Sequence, residues 1–116
     1  MPRDPKSKIV TLDSLAKAAA ENRDAGKKVV LCHGVFDLLH MGHVRHLQAA
    51  QAEGDILVVT ITTKAHVNKG PGRPVFNDDM RAEMLAALEQ VDLVAVSPYP
   101  SAEKIIDAVK PSVYVK

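Results

Sequence analysis

The chain carries one cysteine, Cys32. It therefore cannot close a disulfide within itself, and its seat in an apolar run marks it as a small core residue rather than a reactive thiol. A reducing, cytoplasmic setting suits that usage. An excess of either charge is also missing. Fifteen Lys and Arg stand against fourteen Asp and Glu, a net of +1. No global field exists to hold nucleic acid or an anionic membrane surface, and any anion site must be local. Long hydrophobic runs are absent too: no stretch approaches the roughly 20 apolar residues of a membrane span. The opening MPRDPKSKIV has no signal-peptide core. A soluble, cytoplasmic chain with neither a nucleic-acid nor a membrane partner is expected.

What is present is ordinary in bulk and informative in pattern. The 116 residues are 47% hydrophobic and 25% charged, which suits one globular core and excludes a disordered tail, a collagen-like repeat or a highly charged scaffold. Residues 1 to 8 read as a mobile lead-in and 9 to 116 as the domain. Leu12, Leu15, Ala16, Ala19 and Ala20 fall on one helical face behind a Thr11 cap, with Gly26 as the stop. Residues 28 to 32 and 56 to 61 are continuous apolar runs with β-branched residues, the mark of strands buried on both faces. Between them the spacing predicts a helix over 42 to 53, with Val44, Leu47, Ala50 and Met41 inward. Residues 64 to 76 hold two Pro and two Gly and form a loop, with room for one helical turn at its start. Asn77 then caps a helix over 78 to 90 whose Met80, Met84, Leu85 and Leu88 form a core stripe. A strand at 91 to 96, a helix at 101 to 109 and a strand from Val113 complete the alternation.

That alternation predicts an α/β fold: a Rossmann-like open parallel sheet with helices on both faces. Ligands in such sheets sit beyond the carboxyl ends of the strands where strand order reverses, so His33 to Phe36 is the place to look. There the chain reads HGVFDLLHMGH. Gly34 lets backbone approach a ligand, and the next helix begins near Gly42, where unpaired amides and the dipole favour a phosphate. His40 and His43, three apart across that helix start, can converge on one cluster of phosphate oxygens. His46 continues the spacing, but positions six apart on a helix diverge by about 120°, which disfavours a metal cluster of the three. Arg81, near a helix start, opposes the dipole and so argues for an anionic partner.

GVFDLLHMGHVRHL resembles the signature of the cytidylyltransferase-like nucleotidyltransferases, in which H-x-G-H follows a strand ending in G-x-F-D-x-x-H. KGPGRPV, DDMRAEMLAALEQVD and KPSVYVK resemble the adenylyltransferase domain of heptose 1-phosphate enzymes, with glycerol-3-phosphate cytidylyltransferases as close relatives. The resemblance implies attack by a phosphorylated sugar or polyol on the α-phosphorus of ATP or CTP, with Mg²⁺, releasing pyrophosphate. It implies that His40 and His43 hold the transition-state phosphate and that Lys69 and Arg81 hold triphosphate or substrate phosphate. Gly34, Val35, Phe36, Gly42 and His33 are expected to bind the nucleotide, while Asp37 orders the loop.

The chain departs from the pattern in two places. The heptose enzymes typically read N-G-C-F-D where this chain has His33-Gly34-Val35-Phe36-Asp37, and N-S-D where it has Thr62-Thr63-Lys64. The family's second signature, a helix opening S-T-T, would follow Lys116. A fragment is therefore expected, with an exposed sheet edge open to homo-oligomer formation. The alternative reading is a non-catalytic nucleotide-binding or assembly module.

Overall fold

Strands that are apolar on both faces need a cover on each side, and the alternating helices supply it. The computed structural model describes residues 4–67 and 76–115. The strands β1 (Val29–Gly34), β2 (Ile56–Thr62), β3 (Leu93–Ser97) and β4 (Val113–Val115) form one parallel sheet in the order β3-β2-β1-β4. Val30 and Cys32 pack with Leu47 and Ala50 of α2 (Met41–Gln51) and with Ala82 and Leu85 of α3 (Asp78–Ala86). Val29 and Leu31, pointing the other way, pack with Leu15 and Ala19 of α1 (Leu12–Asp24) and with Ile105 and Val109 of α4 (Glu103–Val109). The expected α/β architecture is the one that forms.

Local chemistry sets the element ends. The Thr11 hydroxyl accepts the Ser14 amide and the Asn77 side chain accepts the Met80 amide, closing the starts of α1 and α3. α4 ends on Lys110 in the left-handed region, φ 50°, just before Pro111. β1 runs two residues past the expected Cys32, because His33 and Gly34 keep register with Thr60 and Ile61. α3 stops at Ala86 rather than continuing to Gln90. Pro5–Lys8, in the segment read as a lead-in, forms a 3-10 turn, and the Lys8 ammonium donates to the Leu88 carbonyl. The expected helical turn after β2 is a 3-10 turn at Lys64–His66. Lys69 and Arg73 lie outside the described residues.

Two inward assignments are corrected. Met41 is 60% exposed and Met80 is 45% exposed. The buried face of α3 runs through Arg81, Ala82, Leu85 and Ala86, one position round from the methionine stripe. Met41, the first residue of α2, lies off that helix's buried face, which runs through Leu47 and Ala50. Small alanines let α3 approach the sheet closely, which the larger residues beside them would prevent. Cys32 is buried, and burial pushes its thiol up to about 11, as befits a core residue. Among the described residues no helix is long and apolar enough to cross a membrane.

The topology selects one place for a site. From β1 the chain steps outward to β2 and β3, then returns across the sheet to lay β4 on the other side of β1. Strand order therefore reverses beside β1, and the crevice opens at its carboxyl end. Truncating a fully buried side chain under that strand, Leu31→Ala, is expected to cost about 2–5 kcal/mol in urea denaturation. Met80→Ala should stay within about 0.5 kcal/mol.

Candidate active site

β1 delivers its last residues, His33 and Gly34, to the crevice, and the loop to α2 folds over them. An open cavity of about 560 Å³ lies there, bordered by His33, the Gly34 to Phe36 backbone, His40, His43 and His46. That volume suits a small ligand. Phe36 holds a left-handed backbone, φ 50°, although it is not glycine, a conformation costing about 1–2 kcal/mol. Its ring lies over Gly34, where a Cβ would stand only 2.9 Å from Phe36 Cε2. Glycine at 34 is thus required by the ring above it. Strain of this kind is kept where surrounding contacts over-determine it.

Arg81 is one of those contacts. It is wholly buried, and its guanidinium donates to the Val35 carbonyl at 2.9 Å, to the Thr62 carbonyl at 2.8 Å and to the Asp78 carboxylate. One side chain thus ties the β1–α2 loop to the end of β2 and the start of α3. Its Nε has no partner among the described residues. Burial pushes the Asp78 carboxyl up, but hydrogen bonds from the Thr63 hydroxyl and the Lys64 amide, with the charge of Arg81, outweigh this and hold it low. The loop's other anchor is Asp37, which accepts the Phe76 amide at 3.0 Å. The anionic partner that sequence seeks for Arg81 is therefore Asp78 of its own helix.

The two motif histidines build the start of α2 between them. His40 is the N-cap: its Nδ1 accepts the Gly42 amide at 3.0 Å, and His43 Nδ1 in turn accepts the His40 amide at 3.2 Å. The result is a reciprocal capping box made of two imidazoles. Gly42 makes room for it, since a Cβ there would stand 2.7 Å from His40 Cε1. The rings lie 4.1 Å apart between centroids, and His43 also meets Phe36 at 5.7 Å. Because each Nδ1 accepts, each neutral ring carries its proton on Nε2. The cap thus fixes two N–H donors at a helix start, which is a charge-stabilising arrangement for an oxyanion.

His33 is oriented differently. Its Nδ1 lies 2.8 Å from the Thr60 hydroxyl and its Nε2 3.2 Å from the Thr62 hydroxyl. Burial lowers its pKa, an effect only partly opposed by a hydrogen bond to the Thr60 backbone. Sequence reasoning passed over Thr60 and took Thr62 only as a departure from the family pattern, yet two hydroxyls two apart in an apolar strand share one face, and that spacing was the available signal. The crevice thus gathers His33, Gly34, Val35, Phe36, His40 and His43, while Gly42 lies against the His40 ring at the start of α2. Arg81 stands behind it, and Lys69 lies outside the described residues. Among the described residues no three His, Cys, Asp or Glu side chains are grouped to hold a metal.

The structure is an α/β domain with a cavity at the reversal point of its parallel sheet and two histidines capping a glycine-opened helix start beside it. The family model described as cytidylyltransferase-like matches residues 31–116. The chain belongs to that family. It is 46% identical over 116 residues to the bifunctional protein HldE of Citrifermentans bemidjiense, covering 98% of this chain and 24% of that protein. It is 40% identical to the protein of the same name from Trichlorobacter lovleyi, again with 98% and 24% covered. The chain thus spans about a quarter of the length of these relatives. A lipopolysaccharide core biosynthesis protein from Thermoplasma volcanium, known from its crystal structure, superposes with a TM-score of 0.70 at 28% identity, over 76% of this chain and 72% of that one.

Two outcomes are expected from this geometry. Arg81→Met should lose about 3 kcal/mol or more in urea denaturation, because a carboxylate and two carbonyls lose their donor. Arg81→Lys should recover only part, since an ammonium cannot fork among three acceptors. The His33 imidazole should titrate below the ordinary histidine value of about 6.5 in a nitrogen-15 NMR series. Its folded pKa being the lower one, its contribution to stability is complete above about 6.5 and is lost as pH falls through the folded value. Ordinary titration of this ring at or above 6.5 would contradict its burial at the end of β1.

Proposed function

We propose that the chain transfers a nucleoside monophosphate from ATP or CTP to a phosphorylated sugar or polyol, releasing pyrophosphate. The observation that carries this reading is the reciprocally capped pair His40 and His43, whose Nδ1 atoms accept backbone amides at the start of α2. An acceptor phosphate oxygen forms a bond to the α-phosphorus, and the bond from that phosphorus to the bridging oxygen breaks. Pyrophosphate leaves with the electron pair. No protein nucleophile takes part, so the protein's contribution is positioning and charge stabilisation. His40 and His43 donate to the oxygens on which charge grows. The backbone of Gly34, Val35 and Phe36, with the helix start at Gly42, receives the nucleotide phosphates.

Lys69 would add charge to the triphosphate. The buried contacts of Arg81 support a positioning part, in which it sets the Val35 carbonyl and hence the loop. Mg²⁺ is read as part of the nucleotide substrate. The nearby carboxylates Asp37 and Asp78 are engaged with Phe76 and Arg81 and make no cage for it, so no step is routed through a protein-held ion. The 46% identity to a bifunctional HldE and the resemblance to heptose 1-phosphate enzymes both support a sugar phosphate as acceptor and a cytoplasmic place of work.

Calorimetric titration with MgATP and with MgCTP tests the reading. One nucleotide should bind saturably, and His43→Ala should weaken it at least tenfold, about 1.4 kcal/mol. With an accepted sugar phosphate, His40→Ala and His43→Ala should each slow pyrophosphate release by about 10²–10³, the loss typical of one oxyanion donor. A folded sample that binds neither nucleotide would leave an assembly module or an incomplete site as the better account.

A further inference from the structure

Among the described residues, two that are not glycine hold a left-handed backbone, Lys110 and Phe36, each at φ 50°. Lys110 closes the end of α4, where that conformation is common. Phe36 closes no helix. Glycine takes such a backbone without strain, so a phenylalanine kept there contributes through its ring. Part of that contribution is burial, since Phe36 is 7% exposed and belongs to the core cluster that includes Cys32 and Leu47. The ring also reaches from that core to His43, 5.7 Å away between centroids with the planes 59° apart. That is within the range of a favourable tilted aromatic contact.

The two motif histidines differ in how they are held. Each Nδ1 accepts one backbone amide, at 3.0 Å for His40 and 3.2 Å for His43. One hydrogen bond leaves an imidazole free to turn about that contact, so the direction of its other nitrogen depends on what lies against the ring. His40 is exposed, whereas His43 is half-buried. Against His43 lie the exposed His40 ring and the Phe36 ring, which is anchored in the core. Phe36 is the more rigid of these two neighbours. Arg81, wholly buried, fixes the preceding carbonyl of Val35 at 2.9 Å, so the support continues into the protein interior.

We infer that Phe36 is a positioning residue whose ring, delivered by the left-handed backbone, holds the plane of the His43 imidazole and so aims the nitrogen opposite the cap at the nucleotide phosphate. This rests on the nucleotidyltransfer reading. A donor already held in one plane meets growing charge without reorganising first. The strained backbone is then explained by what it carries.

The test is a double-mutant cycle of Phe36→Leu and His43→Ala. It is read by calorimetric binding of the preferred of MgATP and MgCTP, and by pyrophosphate release with an accepted sugar phosphate. Leucine keeps apolar bulk and loses the aromatic plane. In the unsubstituted chain Phe36→Leu should weaken nucleotide binding at least threefold and slow release at least tenfold. In His43→Ala the same change should alter either by less than twofold. Phe36→Gly, free of the backbone strain, should lose at least as much as Phe36→Leu. As a control, Leu15→Ala, at a fully buried position on the other face of the sheet, should lower urea stability and leave nucleotide affinity within twofold. Nitrogen-15 imidazole spectra follow the ring directly. His43 should show one tautomer, protonated on Nε2, in the unsubstituted chain and a mixture in Phe36→Leu, with His40 keeping its single tautomer.

Losses of the same size in both backgrounds would assign the ring to the loop backbone rather than to His43 and overturn the inference. An unchanged His43 spectrum in Phe36→Leu, or full nucleotide affinity in Phe36→Gly, would overturn it as well. If the His43 spectrum changes as expected in a chain that binds neither nucleotide, the hold of Phe36 on His43 stands and the nucleotidyltransfer reading alone fails.

Discussion

A buried guanidinium cannot sit in a protein interior without acceptors around it, and Arg81 draws its acceptors from three separate pieces of chain. The Val35 carbonyl comes from the loop after β1, the Thr62 carbonyl from the end of β2 and the carboxylate from the first turn of α3. The Thr63 hydroxyl and the Lys64 amide also hold Asp78 against the end of β2, and Arg81 adds the Val35 loop to that junction at the open end of the sheet. With Val35 held, Phe36 can stay in its left-handed conformation and lay its ring over Gly34. From there the chain enters α2 with His40 placed as the cap. The donor pair thus depends on a charge that itself sits behind the cavity wall. Such an arrangement places rigid support around a strained loop.

Much of this was legible in sequence because its causes are local. Apolar runs at 28 to 32 and 56 to 61 dictated strands buried on both faces, and Thr11 and Asn77 announced the helix starts that they cap. The motif HGVFDLLHMGH, placed after a strand and before a helix, pointed to the crevice that borders it, and the family match bears out the resemblance that the motif carries. What escaped was set in the third dimension. Met41 and Met80 fit a periodic stripe, yet the sheet lies against Leu47 and Ala50 of one helix and Ala82 and Leu85 of the other. Hydropathy cannot register that a small residue permits closer approach.

Arg81 illustrates the same limit for charge. A basic residue near a helix start announces an anionic partner but not which one, and Asp78, three residues earlier, fills that role within the helix. The Thr60–His33–Thr62 row was readable only in part. The period of a strand puts the two hydroxyls on one face, but only strand register brings His33 opposite Thr60. His33 and Thr62, both departures from the heptose-enzyme pattern, are hydrogen-bonded to each other, so they change the site together rather than separately.

The two-imidazole cap has a further consequence, for the ions this site would refuse. Histidines three apart at a helix start are an ordinary lure for zinc or copper, which bind through an unprotonated ring nitrogen. Here the unprotonated nitrogens face inward and are occupied by the backbone amides of Gly42 and His40. Capturing a metal would require both rings to exchange tautomers and the helix to give up its own first-turn hydrogen bonds. The backbone thus competes with transition metals for the same lone pairs, so the cap that shapes the helix start also guards it against those ions.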